Sequence, residues 1–185
     1  ENLLKAQAGL MTRFDEDIWI SRLDIDKDGS DEILLWNRDL ALGIEPVRGG
    51  GIFEISYMPK ALNLSDTLTR RHEAYHRGLQ DTTQGNNLRT EGAVSIHDLP
   101  SAAREDLSDI LIVDSYTKSS LLDHFLPKDT TIEDYAAGNY TEIGDFVQAN
   151  YLVEEAGTLS DEGIVTMTRT GRVDQSSLGL RKTIR

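Results

Sequence analysis

The stretch Asp24-Ile25-Asp26-Lys27-Asp28-Gly29-Ser30-Asp31-Glu32 sets three aspartates at alternate positions, then a glycine, then further acids. A tight loop gathers oxygen ligands for calcium in this order, since the ion takes about six to eight oxygens at short range. In the helix-flanked calcium loop the twelfth position is a bidentate glutamate. Here that position is Leu35, inside the apolar run Ile33-Leu34-Leu35-Trp36, so the last carboxylate must come from Glu32 at the ninth. The expected site is a structural Ca2+ held by side-chain oxygens of Asp24, Asp26 and Asp28, the backbone carbonyl of Ser30 and the carboxylate of Glu32, with Asp31 turned away. The alternative is an Asp-Gly hairpin turn whose acids face water.

A second stretch with chemistry in its spacing is His72-Glu73-Ala74-Tyr75-His76. On a helix, histidines four apart share a face and bind zinc together while the glutamate activates water. A third ligand is needed. His97, Asp98 and His124 are available, but no further helical repeat of ligands follows. The alternative is a set of hydrogen-bonded loop or interface histidines. Gly49-Gly50-Gly51 has the composition of a phosphate cradle. Such cradles open a helix, whereas Ile52-Phe53-Glu54-Ile55-Ser56-Tyr57 alternates like a strand, so the glycines are expected at a bulge or a close backbone approach.

These residues must be held by a chain of 185 residues, enough for one domain with a substantial core. There is no cysteine, which excludes disulfides and fits a reducing compartment such as the cytoplasm without fixing it. Nineteen basic residues against 32 acidic give a formal charge of -13. That charge repels phosphate backbones and anionic membranes, so neither nucleic acid nor a membrane is an expected partner. The longest apolar runs are far short of a spanning helix.

Residues 1–14 carry helix formers, with Leu3, Ala6 and Leu10 near helical spacing, and are expected to be a connector helix. From Asp17 the period changes to two, so Ile18 and Ile20 begin a strand that runs into the acidic loop. Beyond the loop both faces of residues 32–36 are apolar, which predicts an interior strand with Trp36 in the core, or alternatively Trp36 as a sugar-stacking platform. Residues 40–44 and 51–57 are further strands, with Phe53, Ile55 and Tyr57 facing one way. Residues 110–125, 144–147, 149–153, 163–168 and 178–184 are strand candidates as well. Short helices are expected at 100–107 and just after Thr130, where Thr130 and Glu133 have capping-box spacing. A succession of short strands with few helices predicts an all-β, antiparallel domain over 15–185.

Several blocks in order carry a resemblance: residues 23–33, Gly49 to Glu54, Arg70-Arg71 with Glu73, Tyr75 and His76, then residues 95–99, 122–125, 143–147 and 182–184. Together they resemble the C-terminal region of family 57 glycoside hydrolases, in particular the α-amylase and 4-α-glucanotransferase group. The resemblance implies a galactose-mutarotase-like antiparallel β-sandwich, of which this chain is expected to be part. It also implies that the catalytic carboxylates belong to an N-terminal barrel that residues 1–14 connect to, so no catalytic residue is assigned here. His72 falls where the family line varies, which weakens the zinc pattern. The implied role is to support that barrel and hold α-glucan or oligosaccharide units, through Arg70, Arg71, Tyr75, His76, His97 and His124. A zinc metallohydrolase acting through His72, Glu73 and His76 and a calcium-stabilised interaction module without sugar contact are the other readings. Unpaired strand edges in a partial sandwich are expected to favour self-association into an oligomer.

Overall fold

Alternation of apolar and polar residues around tight turns gives two antiparallel meanders in the computed structural model, which describes residues 18–65, 69–71 and 112–185. The first sheet comprises β1 (Ile18–Leu23), β2 (Glu32–Asn37), β3 (Leu40–Glu45), β4 (Gly51–Tyr57) and β5 (Leu62–Asn63), in chain order. The second comprises β6 (Leu152–Leu159), β7 (Glu162–Val173) and β8 (Ser176–Ile184), again in chain order. The two sheets share one core. Ile33, Leu35, Ile44 and Ile52 of the first meet Val165, Met167 and Ile184 of the second, with Phe146 and Tyr151 from the connecting chain between them. This is the expected all-β sandwich.

The acidic loop is the β1–β2 connection, with Leu23 paired to Glu32 across its base. β2 is interior, flanked by β1 and β3. Its two faces are unequal, however: Ile33 and Leu35 enter the core, whereas Trp36 is half-buried on the opposite face, stacked on its cross-strand partner Trp19 at 6.5 Å and 10°. Trp36 is therefore not a core residue, because the second sheet covers only one side of the first.

The glycine-rich turn behaves as a close approach and is followed by a bulge. Gly49 has φ +78°, and a Cβ there would strike the Val147 carbonyl oxygen. Between β3 and β4 the register slips: Gly43 pairs with Glu54 and Ile44 with Ile52, leaving Phe53 as the extra residue. Both Ile52 and Ile55 consequently pack on the core while the Phe53 ring lies over Gly43, so strict alternation along β4 fails at this point.

Residues 112–125 are not a strand. Their one ladder contact is the bridge Ser120–Ile52, and 144–147 likewise gives only the bridge Gly144–Val173. The expected short helix is α1 (Ile132–Ala137), one residue later than its spacing suggested: Thr131 is the cap, exchanging hydrogen bonds with Asp134. The connector helix over 1–14 and the helix at 100–107 lie outside the described residues.

One buried cation joins these parts. Lys182 on β8, 9% exposed, sends its ammonium to the carbonyls of Gly49 (2.7 Å) and Leu121 (2.5 Å) and to the Asp123 carboxylate (2.6 Å). The Tyr151 ring lies 4.5 Å below it, and the Tyr151 hydroxyl donates to the same Asp123 carboxylate. Removing one partner of such a buried pair strands the others without water. Lys182→Met is expected to destabilise the fold by about 3 kcal/mol in denaturant titration. A loss below about 1 kcal/mol would mean that the carbonyls find other donors.

Candidate functional site

Two polar clusters stand out, one built on the irregular chain around Tyr116 and the other on the β1–β2 loop. The first is aromatic. Tyr116, itself buried, places its hydroxyl within 3.0 Å of the Tyr140 hydroxyl and 3.3 Å of both the Tyr135 hydroxyl and His124 Nε2. Lys118 donates to the same oxygen at 3.1 Å. The rings of Tyr135, near the end of α1, and Tyr140, just beyond it, stack at 4.9 Å. His124 is fixed from behind by Glu142, whose carboxylate lies 2.5 Å from Nδ1. Burial first, then the neighbouring phenols, push the Tyr116 hydroxyl well above its usual titration range, so it stays a neutral donor and acceptor.

Arg70 closes this cluster. Its guanidinium and backbone amide grip Asp114, with Nη2 at 2.5 Å, Nε at 3.0 Å and the amide at 2.7 Å, while Nη1 donates to the Ala136 carbonyl. Together with Tyr116, Lys118, Tyr135 and Tyr140, this pair lines a cavity of about 400 Å³. Aromatic faces beside fixed donors and acceptors suit a ligand that is apolar on its faces and hydroxylated on its rim.

The second cluster is acidic. Within the loop, Asp24 Oδ1 accepts from the Asp28 amide and Oδ2 from the Gly29 amide, both at 3.0 Å, and Asp28 Oδ1 accepts from the Ser30 amide at 2.9 Å. Arg48 crosses to Asp26 at 3.1 Å and Asp28 at 2.8 Å. Carboxylate oxygens of Asp24, Asp26 and Asp28 thus come together, and a second group forms from Asp26, Glu32 and Glu45. Glu32 accepts the Ile25 amide at 2.6 Å. Burial, then the charge of Glu32, raise the Glu45 pKa above its ordinary value despite Arg48. A cavity of about 470 Å³ opens beside Asp26, Glu32 and Glu45, walled by Phe53, Tyr116 and Val147.

Of the residues picked from the sequence for an interface, Arg70 and His124 meet in the tyrosine cluster, and Arg71 is exposed beside it. Tyr75, His76 and His97 lie outside the described residues, as does the whole zinc-like pattern from His72 to His76. Sequence spacing does not single out Tyr116, Lys118, Tyr135, Tyr140 and Glu45, which the fold brings to these clusters. Scattered tyrosines on irregular chain have no periodicity to reveal them, and Glu45 is brought opposite Glu32 only by strand pairing.

Comparison with known proteins gives a consistent picture. Residues 24–185 match the family model described as Alpha-amylase/4-alpha-glucanotransferase, C-terminal. A 4-alpha-glucanotransferase of Thermococcus kodakarensis is 36% identical over 180 residues, covering 95% of this chain and 26% of that protein. An alpha-amylase of Pyrococcus abyssi is 33% identical over 162 residues, covering 88% and 24%. The crystal structure of 4-alpha-glucanotransferase from Thermococcus litoralis superposes with a TM-score of 0.68 at 29% identity, covering 97% of this chain and 23% of that one. The chain therefore spans about a quarter of the length of the relatives it matches.

The Arg70–Asp114 pair makes a pH prediction. Hydrogen bonding from Arg70, ahead of every other cause, lowers the Asp114 pKa from 3.8 to about 2. A carboxylate whose folded pKa is depressed contributes stability above its unfolded value, and this is lost as pH falls through the folded one. Wild type should therefore lose its advantage over Asp114→Asn between pH 4 and pH 2. Melting curves across that range check this; a gap that stays constant refutes it.

Proposed function

The chain belongs to the C-terminal family of alpha-amylases and 4-alpha-glucanotransferases, and from that premise we propose that it is the non-catalytic β-sandwich of an α-glucan-processing enzyme of glycoside hydrolase family 57. Its part in the reaction is to hold sugar units remote from the bond being cleaved or transferred. Catalysis belongs to a separate N-terminal barrel, a reading supported by the small share of each relative that this chain covers. Binding energy from remote sugar units accelerates chemistry when it aligns the reacting bond, so a rigid neighbour adds to the rate without touching that bond.

The observation that carries the sugar-binding reading is the cavity beside Arg70, where Tyr135, Tyr140 and Lys118 stand around the buried Tyr116 hydroxyl. A pyranose has an apolar face that packs on an aromatic ring and hydroxyls that need fixed partners. Arg70 and His124 act here as positioning residues, the first through Asp114 and the second through Tyr116. Arg71, Tyr75, His76 and His97 belong to the same reading as contacts to glucan or to the barrel. Leu152 and Leu159, 71% and 63% exposed at the two ends of edge strand β6, offer apolar contacts for that barrel, and the unpaired strand edge would drive self-association of the free chain.

The test is maltoheptaose binding by calorimetry to wild type, Tyr140→Ala and Tyr135→Ala. Each substitution should weaken binding about tenfold, equivalent to about 1.4 kcal/mol, while the 185-residue chain alone turns over no maltooligosaccharide. Unchanged affinity in both variants would remove the sugar contact from this cavity. Turnover by the chain alone would overturn its non-catalytic role.

A further inference from the structure

We infer that Asp26, Glu32 and Glu45 form a calcium site where the acidic loop meets the ends of β2 and β3. Ile33 and Ile44 are cross-strand partners in this sheet, and Glu32 and Glu45 are the next residues outward on the two strands. Like charges at neighbouring cross-strand positions destabilise a sheet, and more so when buried. Both are buried, at 2% and 7% exposure, and each has a carboxylate oxygen, Oε1, with no hydrogen-bond partner. Arg48 does not relieve this: it is half exposed, engages Asp26 and Asp28, and approaches Glu45 Oε2 only to 3.6 Å.

Two buried carboxylate oxygens without donors, on residues that line a cavity together with Asp26, are suited to a cation. One oxygen from each of the three side chains lies within 4.8 Å of the others. Calcium bridges that span, because its ligands sit about 2.3–2.6 Å away and its shell tolerates irregular geometry. Water in the adjoining cavity completes the coordination. Asp24 and Asp28 then shape the loop through its amides and present Asp26, rather than enclosing the ion themselves. This inference is independent of sugar binding, and it differs from the ligand set suggested by loop spacing alone in requiring Glu45.

The test is calcium titration of chelator-stripped protein by calorimetry, with thermal unfolding alongside. The expected result is one calcium per chain and a melting temperature raised on the order of 10 °C when calcium exceeds its dissociation constant about a thousandfold. Glu45→Gln should abolish both effects, and Asp31→Asn, at an exposed loop acid outside the ligand group, should retain them. Absence of binding in wild type overturns the inference. So does a response that survives Glu45→Gln but is lost in Asp24→Asn, which would put the ion in the outer loop. Equal affinity for magnesium would refute the choice of metal. Anomalous scattering from wild-type crystals grown with calcium needs no variant: density between Asp26, Glu32 and Glu45 supports the site, and density elsewhere or none refutes it.

Discussion

The ammonium of Lys182 is the interaction on which the other parts depend. A lysine costs energy to bury unless each of its donors meets an acceptor, and burial alone lowers its pKa here. Its acceptors come from the glycine turn before β4 and from the irregular chain at Leu121 and Asp123, so one side chain ties three segments far apart in sequence. The turn must offer bare backbone at that point. Gly49 does so by crossing against Val147 in a left-handed conformation that a side chain would block. Further backbone bonds, Gly49 to Ala149 and Tyr151 to Pro46, fix the same turn against the chain entering β6. Sheet-to-sheet packing is thus set by a polar anchor as well as by the apolar core.

Periodicity made the sheets legible. Alternation at Ile18 and Ile20, the Asp-Gly loop and the run after Glu32 are local signals that agree with one another, and the first hairpin forms where they place it. The bulge was harder to see. Phe53 looks like any inward residue until the register slip beside Gly43 sets it outside the alternation. Residues 112–125 differ for another reason: Leu122 and Phe125 pack against the sandwich from loop backbone, so hydrophobicity without pairing mimics a strand. The candidate sites were only half visible. The carboxylates of the acidic loop are contiguous, while Glu45 and the tyrosines come together through long-range packing, which no local pattern encodes.

Tyr116 links the two polar clusters. It lines both the cavity beside Glu32 and Glu45 and the cavity beside Arg70. Its neighbour Asp114 is ion-paired to both Arg70 and Lys118, which fixes the segment although it belongs to no sheet. A rearrangement on either side would be felt through this one residue, since packed interiors have little slack to absorb it.

The Lys182 anchor also bears on how the domain comes to be folded. Its bonds to Gly49 and Leu121 span 133 and 61 residues, whereas each meander is built from neighbouring strands. Local hairpins close early at little entropic cost, but contacts between distant segments must await the chain that completes them. During synthesis the glycine turn and the Asp123 carboxylate emerge well before β8, and until it arrives they lack their cation and the first sheet lacks part of its cover. The half-finished domain is then a sheet whose core face is incompletely covered, and β8 brings the last of that cover together with the Lys182 ammonium.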